Sequence, residues 1–69
     1  MSMSSFGKNL KTERENAGLN QKQLASRIGT SQQRISEWEC DKVEPTVSNI
    51  VAIAKALDVS FDDLFDGIE

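Results

Sequence analysis

Residues 20–39 read NQKQLASRIGTSQQRISEWE, and this stretch predicts two short amphipathic helices joined by a glycine turn. The first helix is expected over Gln21–Ile28, with Asn20 as its N-cap and Gln23 placed to bond back to the backbone amide of the cap. Its apolar residues share one face: Leu24, Ala25 and Ile28. Gly29 follows, where a chain that leaves a helix commonly turns through positive φ.

The second helix is expected over Gln32–Glu39, with Ser31 as its N-cap. Ile35 and Trp38 are three residues apart and share one face, so Trp38 is expected to pack in the core rather than stack on a base. A tight turn that contains glycine, between two helices of which the second can enter the major groove, is typical of a helix-turn-helix. Ala25 supports this interpretation because a small residue lets the two helices cross closely.

The fold class predicted for the whole chain is all-α, a compact bundle of five short helices in a single domain over residues 5–66. The other helices are expected at residues 5–16, at Val47–Leu57 and from Ser60 onward. Residues 1–4 are expected to be frayed and residues 67–69 to form a C-terminal tail. The expected core consists of apolar residues at helical spacing: Phe6, Leu10, Leu24, Ile28, Ile35, Trp38, Ile50, Leu57, Val59 and Leu64. The apolar pattern of the fourth helix also includes Val47, Ile53 and Ala54.

Several functional classes are disfavoured by composition. Sixty-nine residues leave no room for a sensor domain, and with one cysteine and no histidine we expect no disulfide, metal site, cofactor, small-molecule ligand or enzyme activity. The single thiol, Cys40, is expected to be inert rather than redox-sensing. Without an apolar run of membrane-spanning length or a signal peptide, a cytoplasmic location is expected.

The charge is unevenly distributed along the chain. The net charge is −3, yet residues 1–42 carry seven basic and five acidic side chains, whereas residues 43–69 carry one basic and six acidic side chains. If the acidic residues lie on the side of the protein away from DNA, electrostatic forces would orient the more basic half toward the DNA phosphates. An ordinary acidic surface explains the same numbers equally well, so the charge alone does not decide for DNA.

The run GLNQKQLASRIGTSQQRISEWE, residues 18–39, resembles the Cro/CI (Xre-type) helix-turn-helix repressors of phages and bacteria, and is similar in particular to lambdoid phage repressor DNA-binding domains. The resemblance covers nearly the whole chain and includes Leu10, Arg14 and Pro45. It implies a lambda-repressor-like fold and a bacterial or phage-encoded transcriptional regulator, most simply a repressor, that binds double-stranded DNA.

Three residues are candidates for reading bases. Gln32 and Gln33 are the first residues of the second helix, Gln32–Glu39, which is the recognition helix of a helix-turn-helix. In this docking geometry the start of the recognition helix meets the base edges. A glutamine amide can form hydrogen bonds to N6 and N7 of adenine at the same time. Gln33 is the first choice. Glu37 lies one turn farther on and could accept a hydrogen bond from cytosine N4. The alternative for each is an ordinary solvated side chain.

The resemblance also assigns roles outside base reading. It implies contacts to the DNA backbone from Gln21, Arg34 and Lys42, with a hydroxyl from Thr30 or Ser31. It implies an ion pair between Arg14 and Glu39 that fixes the recognition helix to the scaffold; two unrelated surface charges are the alternative.

The chain departs from the family pattern just after the recognition helix, where ECDKVEP stands in place of the usual ENGKxxP. Asp41 replaces a turn glycine. Aspartate tolerates the left-handed conformation better than most residues, but Asp41 and Glu44 bring negative charge beside the expected phosphate. This departure is expected to affect the strength of DNA binding more than the fold.

A chain this small covers one half-site, so we expect a homodimer on a palindromic operator. Phe61, Phe65 and Ile68 exceed what so small a core needs and are candidates for the dimer contact, although they could equally cap the core. The competing function is a protein-interaction module, such as an antitoxin or anti-repressor component, which the net acidity favours.

Overall fold

The computed structural model describes residues 5–67, which form five helices. They are α1 (Phe6–Asn16), α2 (Gln21–Ile28), α3 (Gln32–Glu39), α4 (Val47–Leu57) and α5 (Phe61–Phe65). The predicted all-α class and helix order are confirmed. The segment predicted to be frayed, residues 1–4, and the last two residues of the predicted tail lie outside the described residues.

Side-chain caps explain why the helices begin where they do. Each helix is preceded by a Ser, Thr or Asn whose side-chain oxygen accepts a hydrogen bond from an amide of the first turn: Ser5, Asn20, Ser31, Thr46 and Ser60. At α2 the predicted capping box is present, because Asn20 Oδ1 accepts from Gln23 N at 2.7 Å and Gln23 Oε1 accepts from Asn20 N at 2.8 Å. Gly29 ends this helix at φ 73°, as the turn requires.

The core lies where the five helices meet. Its buried apolar residues are Leu10, Leu24, Ala25, Ile35, Trp38, Ile53, Ala54, Leu57 and Leu64. Four residues predicted for the core are only partly buried and pack around it: Phe6, Ile28, Ile50 and Val59. Val47 is 75% exposed, so its place in the apolar pattern of α4 was a wrong guide to burial. Val47 is the first residue of α4 and lies one turn before Ile50, which is itself only partly buried at the edge of the core.

The packing of the helices places α3 against both α1 and α2. On the other side of the bundle, α4 packs on α2, and α5 packs on α1 and α4. Two different helices therefore set the position of α3. Within residues 5–67, none of the helices has the length and apolar character needed to cross a membrane.

Candidate nucleic-acid interface

Helix α3 has one buried and one exposed face. Ile35 and Trp38 are fully buried, whereas Gln32 and Gln33 at its first turn are exposed. Within residues 5–67, neither glutamine side chain makes a hydrogen bond to the protein. Glu37 follows Gln33 by one turn on the same side of the helix and is half-buried. The two amides are therefore free to bond to groups outside the protein.

The turn before α3 is fixed by hydrogen bonds that use part of its polar groups. Ser31 Oγ accepts a hydrogen bond from the backbone amide of Arg34 at 3.1 Å, and the amide of Thr30 donates to Ala25 O at 2.9 Å. The hydroxyl proton of Ser31 remains available to an outside acceptor. Ser31 and Arg34 are exposed and Thr30 is half-buried.

Arg14 and Glu39 form a bidentate ion pair across the contact between α1 and α3. Arg14 Nε donates to Glu39 Oε2 at 2.6 Å, and Nη2 donates to Oε1 at 3.2 Å. Their side chains are 8% and 3% exposed, and Arg14 Nη1 also donates to Leu19 O at 2.7 Å. The hydrogen bond to Glu39 raises the pKa of Arg14 above its ordinary value, against the opposing effect of burial.

Gln21 joins this pair. Its Nε2 donates to Glu39 Oε1 at 3.0 Å, so the carboxylate of Glu39 on α3 receives donors from both α1 and α2. The sequence pointed to Gln21 only as a phosphate contact, because the bond to Glu39 depends on how α2 meets α3. This bond uses one of the two Nε2 hydrogens, and within residues 5–67 the other makes no hydrogen bond.

A second contact holds α1 against the end of α3, and sequence reasoning did not anticipate it. The backbone amide of Gly7 donates to Asp41 Oδ1 at 3.0 Å. Asp41 adopts φ 58°, the left-handed conformation expected where the family pattern has glycine. Its carboxylate was expected to bring negative charge beside a phosphate, and in the structure one of its oxygens accepts a hydrogen bond from the first turn of α1. The available signal was the glycine itself, a poor helix former in the first turn of a predicted helix.

The remaining candidate residues lie around this region and on α5. Lys42 is exposed, as are Cys40, a free thiol at the C-cap of α3, and Glu44. On α5, Phe61 and Phe65 are 49% and 42% exposed. Phe65 packs on Phe6 with ring centroids 5.4 Å apart, so it caps part of the core and also contributes exposed surface. Ile68, the third candidate for a dimer contact, lies outside the described residues.

A model of a helix-turn-helix family (HTH_3) matches residues 10–64, which include all of α2, α3 and α4. This chain belongs to that helix-turn-helix family. Membership confirms the resemblance to Cro/CI (Xre-type) proteins that the run at residues 18–39 suggested.

Similar proteins of the helix-turn-helix family include the repressor protein C2 of Salmonella phage P22, which is 34% identical over 62 residues. That match covers 90% of this chain but 29% of the relative, so the chain spans less than a third of the relative's length. Among solved structures, the crystal structure of the P22 c2 repressor in complex with synthetic operator 9T has a TM-score of 0.84 at 33% identity and covers 93% of this chain and 97% of that one. The restriction-modification controller protein C.AhdI from Aeromonas hydrophila has a TM-score of 0.83 at 32% identity, covering 87% and 91%.

Proposed function

We propose that this protein is a sequence-specific DNA-binding transcriptional regulator, a repressor, that inserts α3 into the major groove of an operator. One observation carries the proposal: two exposed glutamines, which make no side-chain hydrogen bond within residues 5–67, open a helix whose opposite face is anchored in the core by Ile35 and Trp38. The similar P22 c2 repressor was solved in complex with a synthetic operator, which supports operator binding by this chain. A protein with this function would act in the cytoplasm of a bacterium.

In this docking the first turn of α3 meets the base edges. The amide of Gln33 would donate to N7 and accept from N6 of an adenine, and Gln32 would bond to a neighbouring base. Glu37, one turn farther along the helix than Gln33, would accept a hydrogen bond from the N4 amino group of a cytosine. Because Glu37 is half-buried, it reaches fewer positions than the two glutamines.

Phosphate contacts would come from the start of α2 and from exposed cations. The capping box uses the amides of Asn20 and Gln23, and the amides of Gln21 and Lys22 at the first turn have no acceptor within the helix. An anion at this end is favoured by the helix dipole and by the free Nε2 hydrogen of Gln21. Arg34 and Lys42, with the hydroxyls of Thr30 and Ser31, would contact the flanking backbone.

A single domain of this size would contact one half-site, so the operator complex would contain a homodimer on a palindrome. Helix α5 supplies the candidate dimer contact, because Phe61 and Phe65 both expose apolar surface there, and Phe65 lies against Phe6. Two copies would double the number of base and phosphate contacts without requiring any further DNA-binding residues.

Selection from a random DNA pool tests the proposed function. The purified protein is incubated at near-physiological salt with randomised duplexes of about three helical turns, and the bound fraction is recovered and sequenced over several rounds. We expect a palindrome whose half-site centres are about ten base pairs apart. The control is the variant Gln32→Ala/Gln33→Ala, which keeps the buried face of α3 and should enrich no motif. Enrichment of no motif by the wild type would contradict the proposal and favour a protein-binding module.

A further inference from the structure

We propose that Asp41 is a positioning residue for base reading. Its carboxylate accepts a hydrogen bond from the backbone amide of Gly7 and so fixes the C-terminal end of α3 against α1. This inference rests on the proposed function and adds a determinant of specificity that touches no DNA. Asp41 lies two residues after the last residue of α3, and its carboxylate reaches the first turn of a helix 34 positions away in sequence.

The contact is close because residue 7 is glycine. A Cβ atom at this position would lie 2.5 Å from the backbone oxygens of both Trp38 and Glu39, distances that real Cβ atoms do not tolerate. The first turn of α1 therefore rests directly on the backbone of the last turn of α3. Asp41 Oδ1 lies 3.0 Å from Gly7 N on the same side, so the hydrogen bond and the close approach form one contact.

Asp41 satisfies a specific need at the start of α1. The first amides of a helix have no acceptor within it. Ser5 accepts from Lys8 N through its side chain and from Asn9 N through its backbone oxygen, but it leaves Gly7 N without a partner. Asp41 supplies that acceptor from outside the helix, through a side-chain oxygen that an asparagine at the same position would also present.

The consequence for α3 follows from where α1 holds it. The contact at Gly7 and the ion pair of Arg14 with Glu39 are seven residues, or about 10 Å, apart along α1. On α3 both contacts lie at its C-terminal end, at Glu39 and Asp41, so together they fix the direction in which α3 leaves α1 and with it the position of its first turn. Base reading needs side chains placed within about 0.5 Å, so losing one hold should reduce discrimination even when no DNA contact is removed.

The left-handed backbone at Asp41 is compatible with the contact but does not require it. A glycine would adopt φ 58° without strain, and the similar family pattern has glycine here. Aspartate is more strained than glycine in this conformation, but its carboxylate accepts a hydrogen bond from Gly7 N. Asp58, at the C-cap of α4, provides an internal comparison: it also adopts a left-handed conformation, φ 56°, but within residues 5–67 its side chain makes no hydrogen bond.

Three variants separate the acceptor from the charge and from the backbone. Asp41→Gly removes the acceptor and the charge and relaxes the backbone, Asp41→Asn removes only the charge, and Asp58→Gly makes the same change as the first at a site without the contact. For each variant, the dissociation constants for the selected operator and for a random duplex are measured well below the melting temperature, and hydrogen exchange of the Gly7 amide reports the contact.

We expect Asp41→Gly to lower the ratio of operator to random affinity by about tenfold, comparable to losing one good base contact. It should also speed exchange at Gly7, whereas Asp41→Asn and Asp58→Gly should keep the wild-type ratio. A wild-type ratio in Asp41→Gly, with or without a lower melting temperature, would overturn the positioning role while leaving the proposed function intact. An equal loss in Asp41→Asn would overturn it too, because the charge would then be responsible. A wild type without any preferred sequence would instead remove the proposed function and this inference together.

Discussion

Glu39 is the side chain on which three helices converge. It belongs to α3, and its two oxygens accept from Arg14 on α1 and from Gln21 on α2. Within residues 5–67, no buried side-chain nitrogen or oxygen is left without a partner, so this polar cluster is fully satisfied. Because the hydrogen bond raises the pKa of Arg14, the stabilisation it gives is present below the unfolded pKa and lost only above the folded pKa, at strongly alkaline pH.

Arg14→Ala should lower the free energy of unfolding by about 3–5 kcal/mol, because the carboxylate of Glu39 would stay buried without its charged partner. Urea denaturation measures this loss. Lys11→Ala is the matched control: Lys11 is an exposed cation on the same helix and should change stability by less than about 0.5 kcal/mol. Similar midpoints for the two variants would mean that the ion pair does not stabilise the fold.

Gln33→Ala should weaken binding to the selected operator by about 1–3 kcal/mol and leave binding to random duplex unchanged, because the lost bonds are to base edges. Titration of both duplexes measures the two effects in one experiment. Thr12→Ala, at an exposed position on α1, serves as the control and should affect neither. Equal losses on the two duplexes would assign Gln33 to the DNA backbone rather than to a base.

Helices α1 and α3 are held together by a backbone contact as well as by side chains. In most helices, replacing glycine by alanine is favourable by about 1 kcal/mol. At Gly7 the added methyl group would meet the backbone oxygens of Trp38 and Glu39, and these cannot rotate away as a side chain could. The close packing of two helices therefore reverses the sign expected from helix propensity.

Gly7→Ala should lower the free energy of unfolding by about 1–3 kcal/mol, since the two helices must move apart to admit the methyl group. Thermal or urea unfolding measures the change. Gly18→Ala is the comparison: among residues 5–67 no atom lies within 4 Å of the added carbon there, so the left-handed backbone is what opposes the change, at about 1–2 kcal/mol. A Gly7→Ala variant as stable as wild type or more stable would contradict the close approach.

The molecule as a whole combines an exposed polar helix with apolar surface on α5. Two copies are expected on the operator, and the exposed phenylalanines are the candidate contact. Phe61 is the better residue for a test, because Phe65 also packs on Phe6 and its removal would disturb the core.

Phe61→Ser should shift the protein toward monomer in sedimentation equilibrium at high micromolar concentration, because a symmetric contact loses its apolar surface twice. Val47→Ser is the control, since Val47 is another exposed apolar residue, at the start of α4. It should leave the distribution of species unchanged. A wild type that sediments as a monomer at every concentration would remove the proposed contact on α5 in free protein.

Much of the fold could be predicted because its signals are local. Caps lie within three residues of the amides they bind, so the bounds of α2, α3 and α4 agree with the prediction. Ser5, predicted as the first residue of α1, proves to be its N-cap. Burial was less predictable: Ile53 and Ala54 are buried and Val47 is exposed, although all three share the apolar pattern of α4. The apolar pattern predicts to which side of α4 a side chain points. It does not predict whether another helix extends far enough to cover that side chain.

The features of the candidate interface also fall into two groups, those that local sequence determines and those that depend on tertiary packing. The order of residues fixes the two helices, the glycine turn between them and the glutamines that open α3, because each depends on neighbours within one or two helical turns. The bond of Gln21 to Glu39 and the bond of Gly7 to Asp41 join residues 18 and 34 positions apart. No local pattern encodes such pairs; they exist because α3 packs between α1 and α2, and the separation and crossing of packed helices decide which polar groups meet.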